Sequence, residues 1–193
     1  MRICVYGASG NELAPEYFEA ARELGRLLAA GGHSLVFGGG QGGLMGACAE
    51  GAAEGGGEIV GIAPRFFDEP GILFPRCTRF VFTETIRQRK QLMEEQSDAF
   101  IVLPGGIGTL EEFFEILTLK QLGRHGKPIA VLNTLHYYDA MLHMLRTAAD
   151  GGFMSRNCLL LFGFCATPAE ALDHVEHAEV LSGSIRRLED YNK

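Results

Sequence analysis

The chain has 193 residues, 26 of them glycine, and its 24 acidic against 17 basic side chains set a formal charge of −7. An apolar content of 47% excludes intrinsic disorder, and the glycines follow no three-residue period, which excludes a collagen-type helix. The acid excess argues against a nucleic-acid or anionic-membrane partner, since both require a concentrated positive field.

Met1 leads directly into a strand-like run, so no secretory leader is expected, and no apolar stretch reaches the ~20 residues that span a bilayer. The five cysteines (Cys4, Cys48, Cys77, Cys158, Cys165) are scattered and form no CxxC pair. Neither a disulfide framework nor a zinc site is expected, and a reducing cytoplasm is the predicted setting.

In chain order, Arg2–Tyr6 reads as a first buried strand. Tyr17, Ala21, Leu24 and Leu28 then recur at helical spacing, and Gly31-Gly32 ends that helix. Ser34–Phe37 is a second strand, leading through a glycine run into a helix that reaches about Glu54. A third strand is predicted over 58–63, and further strands over 79–82, 99–103 and 129–132. The segment 64–79, with Pro64, Pro70 and Pro75, reads as a surface loop. Helices are predicted over 85–96, 109–122 and 137–149, the last ended by Gly151-Gly152. Thr167-Pro168-Ala169-Glu170 combines an N-cap threonine, proline at the first helical position and glutamate at the third, which opens a final helix. This β–α alternation predicts one α/β domain over 1–193, a Rossmann-like, doubly wound, mostly parallel sheet with helices on both faces. A mobile tail is expected over about 182–193.

Three strand-to-helix loops are rich in glycine: Gly7-Ala8-Ser9-Gly10, the run Gly38 to Gly43, and Pro104-Gly105-Gly106-Ile107-Gly108-Thr109. Glycine lets backbone N–H groups approach an anion, and the following helix N-terminus adds partial positive charge. One such loop is equally explained by tight packing. Three at one sheet edge point to a nucleotide or sugar phosphate, with Gly39, Gly40 and Gly43 the candidate contacts of the second loop. No GxxxxGK[ST] loop occurs, which argues against ATP-driven phosphoryl transfer. A dinucleotide site is disfavoured too, because GxGxxG follows the second strand rather than the first.

Thr109-Leu110-Glu111-Glu112 has capping-box spacing, so Glu112 has two readings: a cap on its own helix, or a carboxylate beside a bound sugar. Glu115, one turn on, reads as a solvated residue. The basic run Arg87-Gln88-Arg89-Lys90 opens a helix near the same edge, where arginine can bind phosphate in a fork. His174 and His177 have no third ligand nearby, and neither Lys90 nor Lys120 sits in a pattern expected of a Schiff-base lysine.

Taken together, Gly38-Gly39-Gly40-Gln41-Gly42-Gly43-Leu44-Met45-Gly46 and Pro104-Gly105-Gly106-Ile107-Gly108-Thr109-Leu110-Glu111-Glu112 resemble the GGGxxGLMG and PGGxGTxxE signatures of the LOG ("Lonely Guy") family. Its members are cytokinin riboside 5′-monophosphate phosphoribohydrolases, often labelled "possible lysine decarboxylase". The resemblance runs from Ile3 to about Val175. It implies hydrolysis of the N-glycosidic bond of a nucleoside 5′-monophosphate, with Arg89 and Glu112 as catalytic residues. It also implies Lys90, Gly105, Gly106, Ile107, Gly108, Thr109 and Thr118 as substrate-binding residues, and Glu69 as a counterpart of the family's loop acid. No metal or cofactor is implied, and a homodimer is. Ile86-Arg87 departs from the family's Met-His, as do Gly42 and Tyr6-Gly7-Ala8-Ser9 from their usual counterparts, which leaves AMP and N6-prenylated AMP unseparated. The alternative is a non-catalytic carrier of a nucleotide-like ligand or molybdenum cofactor.

Overall fold

A computed structural model describes residues 1–179; the tail expected over 182–193 lies outside the described residues. Seven strands form one sheet: β1 (Arg2–Tyr6), β2 (Ser34–Phe37), β3 (Ile59–Pro64), β4 (Arg79–Thr83), β5 (Ala99–Val102), β6 (Ile129–Leu132) and β7 (Gly163–Cys165). Their order is β4-β3-β2-β1-β5-β6-β7, and every pairing is parallel. β7 was not expected. At three residues it is too short to show a period, and it is recruited by pairing Val131 with Phe164 at the sheet edge.

Side-chain alternation along the strands builds two cores. Ile3 and Val5 of β1 face α1 (Pro15–Ala30), α2 (Gly43–Glu54) and α6 (Pro168–His177). Cys4 and Tyr6 face α3 (Ile86–Glu95), α4 (Ile107–Gln121) and α5 (Asp139–Asp150). Fully burying one Leu, Ile or Phe contributes about 1.5–3 kcal/mol, so these two layers carry most of the driving force for folding. α6 begins as its sequence requires: Thr167 Oγ1 accepts from the Glu170 amide at 3.2 Å.

Much of the glycine excess is packing. A Cβ on Gly25 would sit 2.0 Å from the Cys48 carbonyl oxygen, and one on Gly51 would sit 2.0 Å from that of Arg22. α1 and α2 therefore touch backbone to backbone, and only glycine allows this. Between β6 and α5 the chain passes a 3-10 turn (Thr134–His136) in which Leu135 and His136 both take left-handed φ values, 52° and 60°. For residues with a Cβ this conformation costs about 1–2 kcal/mol each. Tyr137 and Tyr138, which follow it, stay in a turn, so the helix predicted over 137–149 starts at Asp139.

The helix contact at Gly25 has a direct test. Gly25→Ala places a methyl group against the α2 backbone, and separating the helices should lower the unfolding free energy by about 1–3 kcal/mol. Urea denaturation measures this, and an unchanged midpoint would remove the close contact from the account.

Candidate active site

Strand order reverses between β1 and β5, and ligand crevices in such sheets lie at the carboxyl ends of the strands at this switch point. Here the β1–α1, β2–α2 and β5–α4 loops ring a cavity of about 760 Å³. Gly7, Ser9 and Asn11 come from the first loop, Gly38, Gly40 and Gln41 from the second, and Gly106 from the third, followed by Ile107, Gly108 and Thr109 of the first turn of α4. Arg89 of α3 and Glu112 of α4 complete the polar side.

The other wall is apolar: Met45 of α2 with Phe67, Ile72 and Leu73. The last three belong to segment 64–79, so this is not merely a surface loop. It runs back along the second glycine loop, with Gln41 N donating to Ile72 O at 2.9 Å and Phe74 N to Gly39 O at 2.8 Å. Gln41 Nε2 donates to Gly71 O, and Phe74 is buried edge-on against Phe37.

Arg89 reaches the cavity because α3 starts with a capping box. Thr85 Oγ1 accepts from Gln88 N at 3.1 Å, and Gln88 Oε1 accepts from Thr85 N at 3.1 Å. This arrangement fixes the first turn, and Arg89 follows in the next position. Its Nη2 donates to Glu112 Oε1, with the two side chains 15% and 9% exposed. Arg89 Nε is buried and has no hydrogen-bond partner among the described residues. A Cβ on Gly38 would lie 3.3 Å from Arg89 Nη1, so the glycine leaves room for the guanidinium.

The capping reading of Thr109 and Glu112 is corrected. α4 begins at Ile107 with Gly106 as N-cap, which puts Thr109 at the third position and Glu112 a turn further in. Among the described residues no side-chain hydrogen bond caps the helix, and Gly106 to Thr109, whose first-turn N–H groups have no partner within the helix, line the cavity. Glu112 is free to serve Arg89 instead.

Of the other predicted contacts, Gly40, Gly106, Ile107, Gly108 and Thr109 line the cavity, while Gly39, Gly43, Gly105, Lys90 and Thr118 do not. Gly39, at φ 78°, leaves room for the Phe80 ring, which a Cβ would meet at 2.5 Å. Gly43 donates its amide to Asn11 Oδ1 at 2.8 Å and lies against the Ala8 carbonyl. Gly105 is covered by the Thr109 side chain. Lys90 turns to the outer face of α3 and α4, bonded to Glu111 and, at 2.9 Å, to Glu115. Burial pulls its ammonium down, but these carboxylates together raise it above the usual lysine range. Thr118 is exposed further along α4, and Glu69 is exposed in segment 64–79. Among the described residues no group of three or more His, Cys, Asp or Glu is placed to hold a metal ion. Asn11, Gln41, Met45, Phe67, Ile72 and Leu73 were not singled out from the sequence. Only Gln41 and Met45 carried a signal, lying inside the second glycine motif.

Residues 45–175 match the family described as "Possible lysine decarboxylase". The chain is 37% identical over 187 residues to "Probable cytokinin riboside 5′-monophosphate phosphoribohydrolase LOGL3" of Oryza sativa subsp. japonica, covering 94% of this chain and 89% of that protein. It is 41% identical over 154 residues to "Cytokinin riboside 5′-monophosphate phosphoribohydrolase LOG7" of Arabidopsis thaliana, covering 80% and 71%. Among solved structures, the molybdenum cofactor carrier protein of Chlamydomonas reinhardtii superposes with a TM-score of 0.69 at 25% identity, over 90% of this chain and 94% of that one.

Burial is the largest influence on Glu112 and pushes its carboxyl up to about 7, against the opposing pull of Arg89. In the unfolded chain the group titrates near 4.5. Below that pH both states are protonated. As pH rises from there through about 7, the unfolded state releases the proton first, so the stability this group contributes is progressively lost. Glu112→Gln cannot titrate. The loss of stability between pH 5 and pH 8, measured by urea denaturation, should therefore be larger in the wild type than in this variant. Equal losses would mean that Glu112 titrates in its ordinary range.

Proposed function

The chain belongs to the LOG family, described by its match as "Possible lysine decarboxylase", and from that premise we propose that it hydrolyses the N-glycosidic bond of purine nucleoside 5′-monophosphates to free base and ribose 5-phosphate. The observation that carries this reading is the buried Arg89–Glu112 pair, set in one cavity with the uncapped N-terminus of α4. The amides of Gly106 to Thr109 are suited to a phosphate dianion. Arg89, already bonded to Glu112, has its buried Nε–H to offer a substrate oxygen.

In the reaction the C1′–N bond breaks, and its electron pair leaves with the purine, which takes up a proton from solvent, balanced when Glu112 returns the water-derived proton to solvent. Positive charge develops on the ribose ring, and the Glu112 carboxylate stabilises it. A water oxygen bonds to C1′ and passes its proton to Glu112. A carboxyl poised near 7 can both accept that proton and return it. The apolar wall of Met45, Phe67, Ile72 and Leu73 suits the base and, beyond it, an N6-prenyl group. Both AMP and N6-prenylated AMP are proposed as substrates.

Two other readings have less support. Decarboxylation through a lysine Schiff base needs a lysine in the cavity, and among the described residues no lysine lines it. The carrier reading rests on a structural neighbour at 25% identity, whereas relatives named as phosphoribohydrolases reach 37% and 41%. We also propose a cytoplasmic setting, supported by Cys4, Cys48 and Cys165 as buried free thiols; no described helix is long and apolar enough to cross a membrane. Finally, a homodimer through the outer faces of α3 and α4 is proposed. It is supported by a groove of about 320 Å³ between them, in which Tyr6, Ile116 and Leu119 are flanked by the charged Arg87, Lys90 and Glu115.

Incubation with AMP and with isopentenyl-AMP should release free base and ribose 5-phosphate in equal amounts, and Glu112→Gln should lose turnover while still binding nucleotide. As Glu112 deprotonates, kcat/KM should rise with pH along a limb centred near 7. Absence of both products, with a cofactor retained through purification, would favour the carrier. Sedimentation should report about twice the 21.0 kDa chain mass; a species of 21.0 kDa at micromolar concentration would remove the dimer.

A further inference from the structure

The amides of Gly106 to Thr109 can face an anion only if the peptide groups of the loop before them are held one way round. Gly105–Gly106 is a glycine–glycine peptide, with no side chain on either residue to resist rotation of the unit. In a trans peptide the C=O and the following N–H point in opposite directions. Whatever holds the Gly105 carbonyl therefore also aims the Gly106 N–H.

Every carbonyl of this stretch has a donor behind it. Leu103 O accepts from the Tyr138 hydroxyl at 2.8 Å, Pro104 O from Ala8 N at 3.0 Å, and Gly105 O from the Tyr137 hydroxyl at 2.7 Å. Two of these three donors are adjacent tyrosines, and they reach the loop from the strained turn before α5. Leu135 and His136, the described non-glycine residues with positive φ, directly precede them. Asn133 clamps the turn, accepting from Tyr138 N at 2.7 Å and donating to Asp139 Oδ1 at 2.7 Å. Tyr137 is braced edge-on by Tyr17, at 6.1 Å between ring centres, and by Tyr138, at 4.8 Å. Backbone strain persists where the surrounding structure over-determines it, often at functional sites. Here the strained turn presents two hydroxyls to consecutive segments of the anion loop.

We infer that Tyr137 is a positioning residue for phosphate recognition: its hydroxyl locks the Gly105–Gly106 peptide so that the Gly106 N–H faces the cavity, with Tyr138 securing the strand end behind it. Without the lock, this peptide can rotate and turn a carbonyl oxygen toward the bound phosphate. Tyr137 itself does not line the cavity. The inference rests on the phosphate-binding reading of the Gly106 to Thr109 amides.

Tyr137→Phe removes only the hydroxyl from a half-exposed side chain and leaves its ring contacts in place. Binding of ribose 5-phosphate, measured by calorimetry, should weaken by roughly tenfold, the scale of one lost hydrogen bond to a charged group. KM for AMP should rise to match, with kcat within about twofold, because phosphate binding acts on ground and transition states alike. Inhibition by free adenine and the thermal midpoint should stay as in the wild type, which a merely structural role would not predict. Unchanged ribose 5-phosphate affinity, or a loss shared equally by adenine, would overturn the lock while leaving phosphate recognition intact. If the wild type bound neither ribose 5-phosphate nor inorganic phosphate, the phosphate reading would fall, and the lock with it.

Discussion

A carboxylate shut away from water beside a guanidinium is the constraint around which this site is organised. Glu112 lies in a medium that disfavours its charge, and Arg89 restores only part of what hydration would supply. Such a pair is weak as a source of stability, since removing two ions from water costs several kcal/mol each. In the proposed reaction its value is chemical, because burial raises the proton affinity of the carboxyl toward neutrality. The capping box of α3 aims Arg89, and the uncapped start of α4 leaves Glu112 unclaimed by its own helix. Gly38 admits the guanidinium.

Glycine serves two opposite purposes here. At Gly25 and Gly51 it removes space so that helices meet through their backbones, and at Gly43 it lets one loop rest on another. At Gly106 and Gly108 nothing lies within 4 Å of where a Cβ would be, so glycine there keeps open the approach to the α4 amides. The acid excess of the chain and the proposed anion site are compatible for the same reason. The site recruits dipoles and one arginine locally, and the remaining surface carries the net charge.

Long, strongly patterned features were legible in advance: β1 to β6, the amphipathic α1, and α6 with its Thr-Pro-Ala-Glu opening. So were the convergence of three glycine loops and the candidacy of Arg89 and Glu112. The features that escaped have physical reasons. A Thr-x-x-Glu spacing looks the same whether a helix starts at 107 or 109, and only the extended backbone of Gly106 decides between them. Glycine composition cannot distinguish an approach to a ligand from an approach to a neighbouring loop, so Gly39 and Gly43 could not be separated from Gly40. The wall formed by Phe67, Ile72 and Leu73 depends on backbone hydrogen bonds to Gly39 and Gln41, which leave no side-chain signature.

The cavity is assembled from two kinds of architecture. Its polar side belongs to the carboxyl edge of the sheet and to helix starts anchored in both cores, where a shift would disturb many packed neighbours. Its apolar side hangs on one proline-containing connection between β3 and β4, joined to the glycine loop through two main-chain hydrogen bonds, with the Gln41 side chain on Gly71 O and Phe74 packed on Phe37. Side chains at 67, 72 and 73 can therefore be exchanged without moving Arg89, Glu112 or the α4 amides. Under the proposed reaction, bond cleavage and the choice of base would be separately adjustable, the wall setting which base shape fits while the polar side stays unchanged.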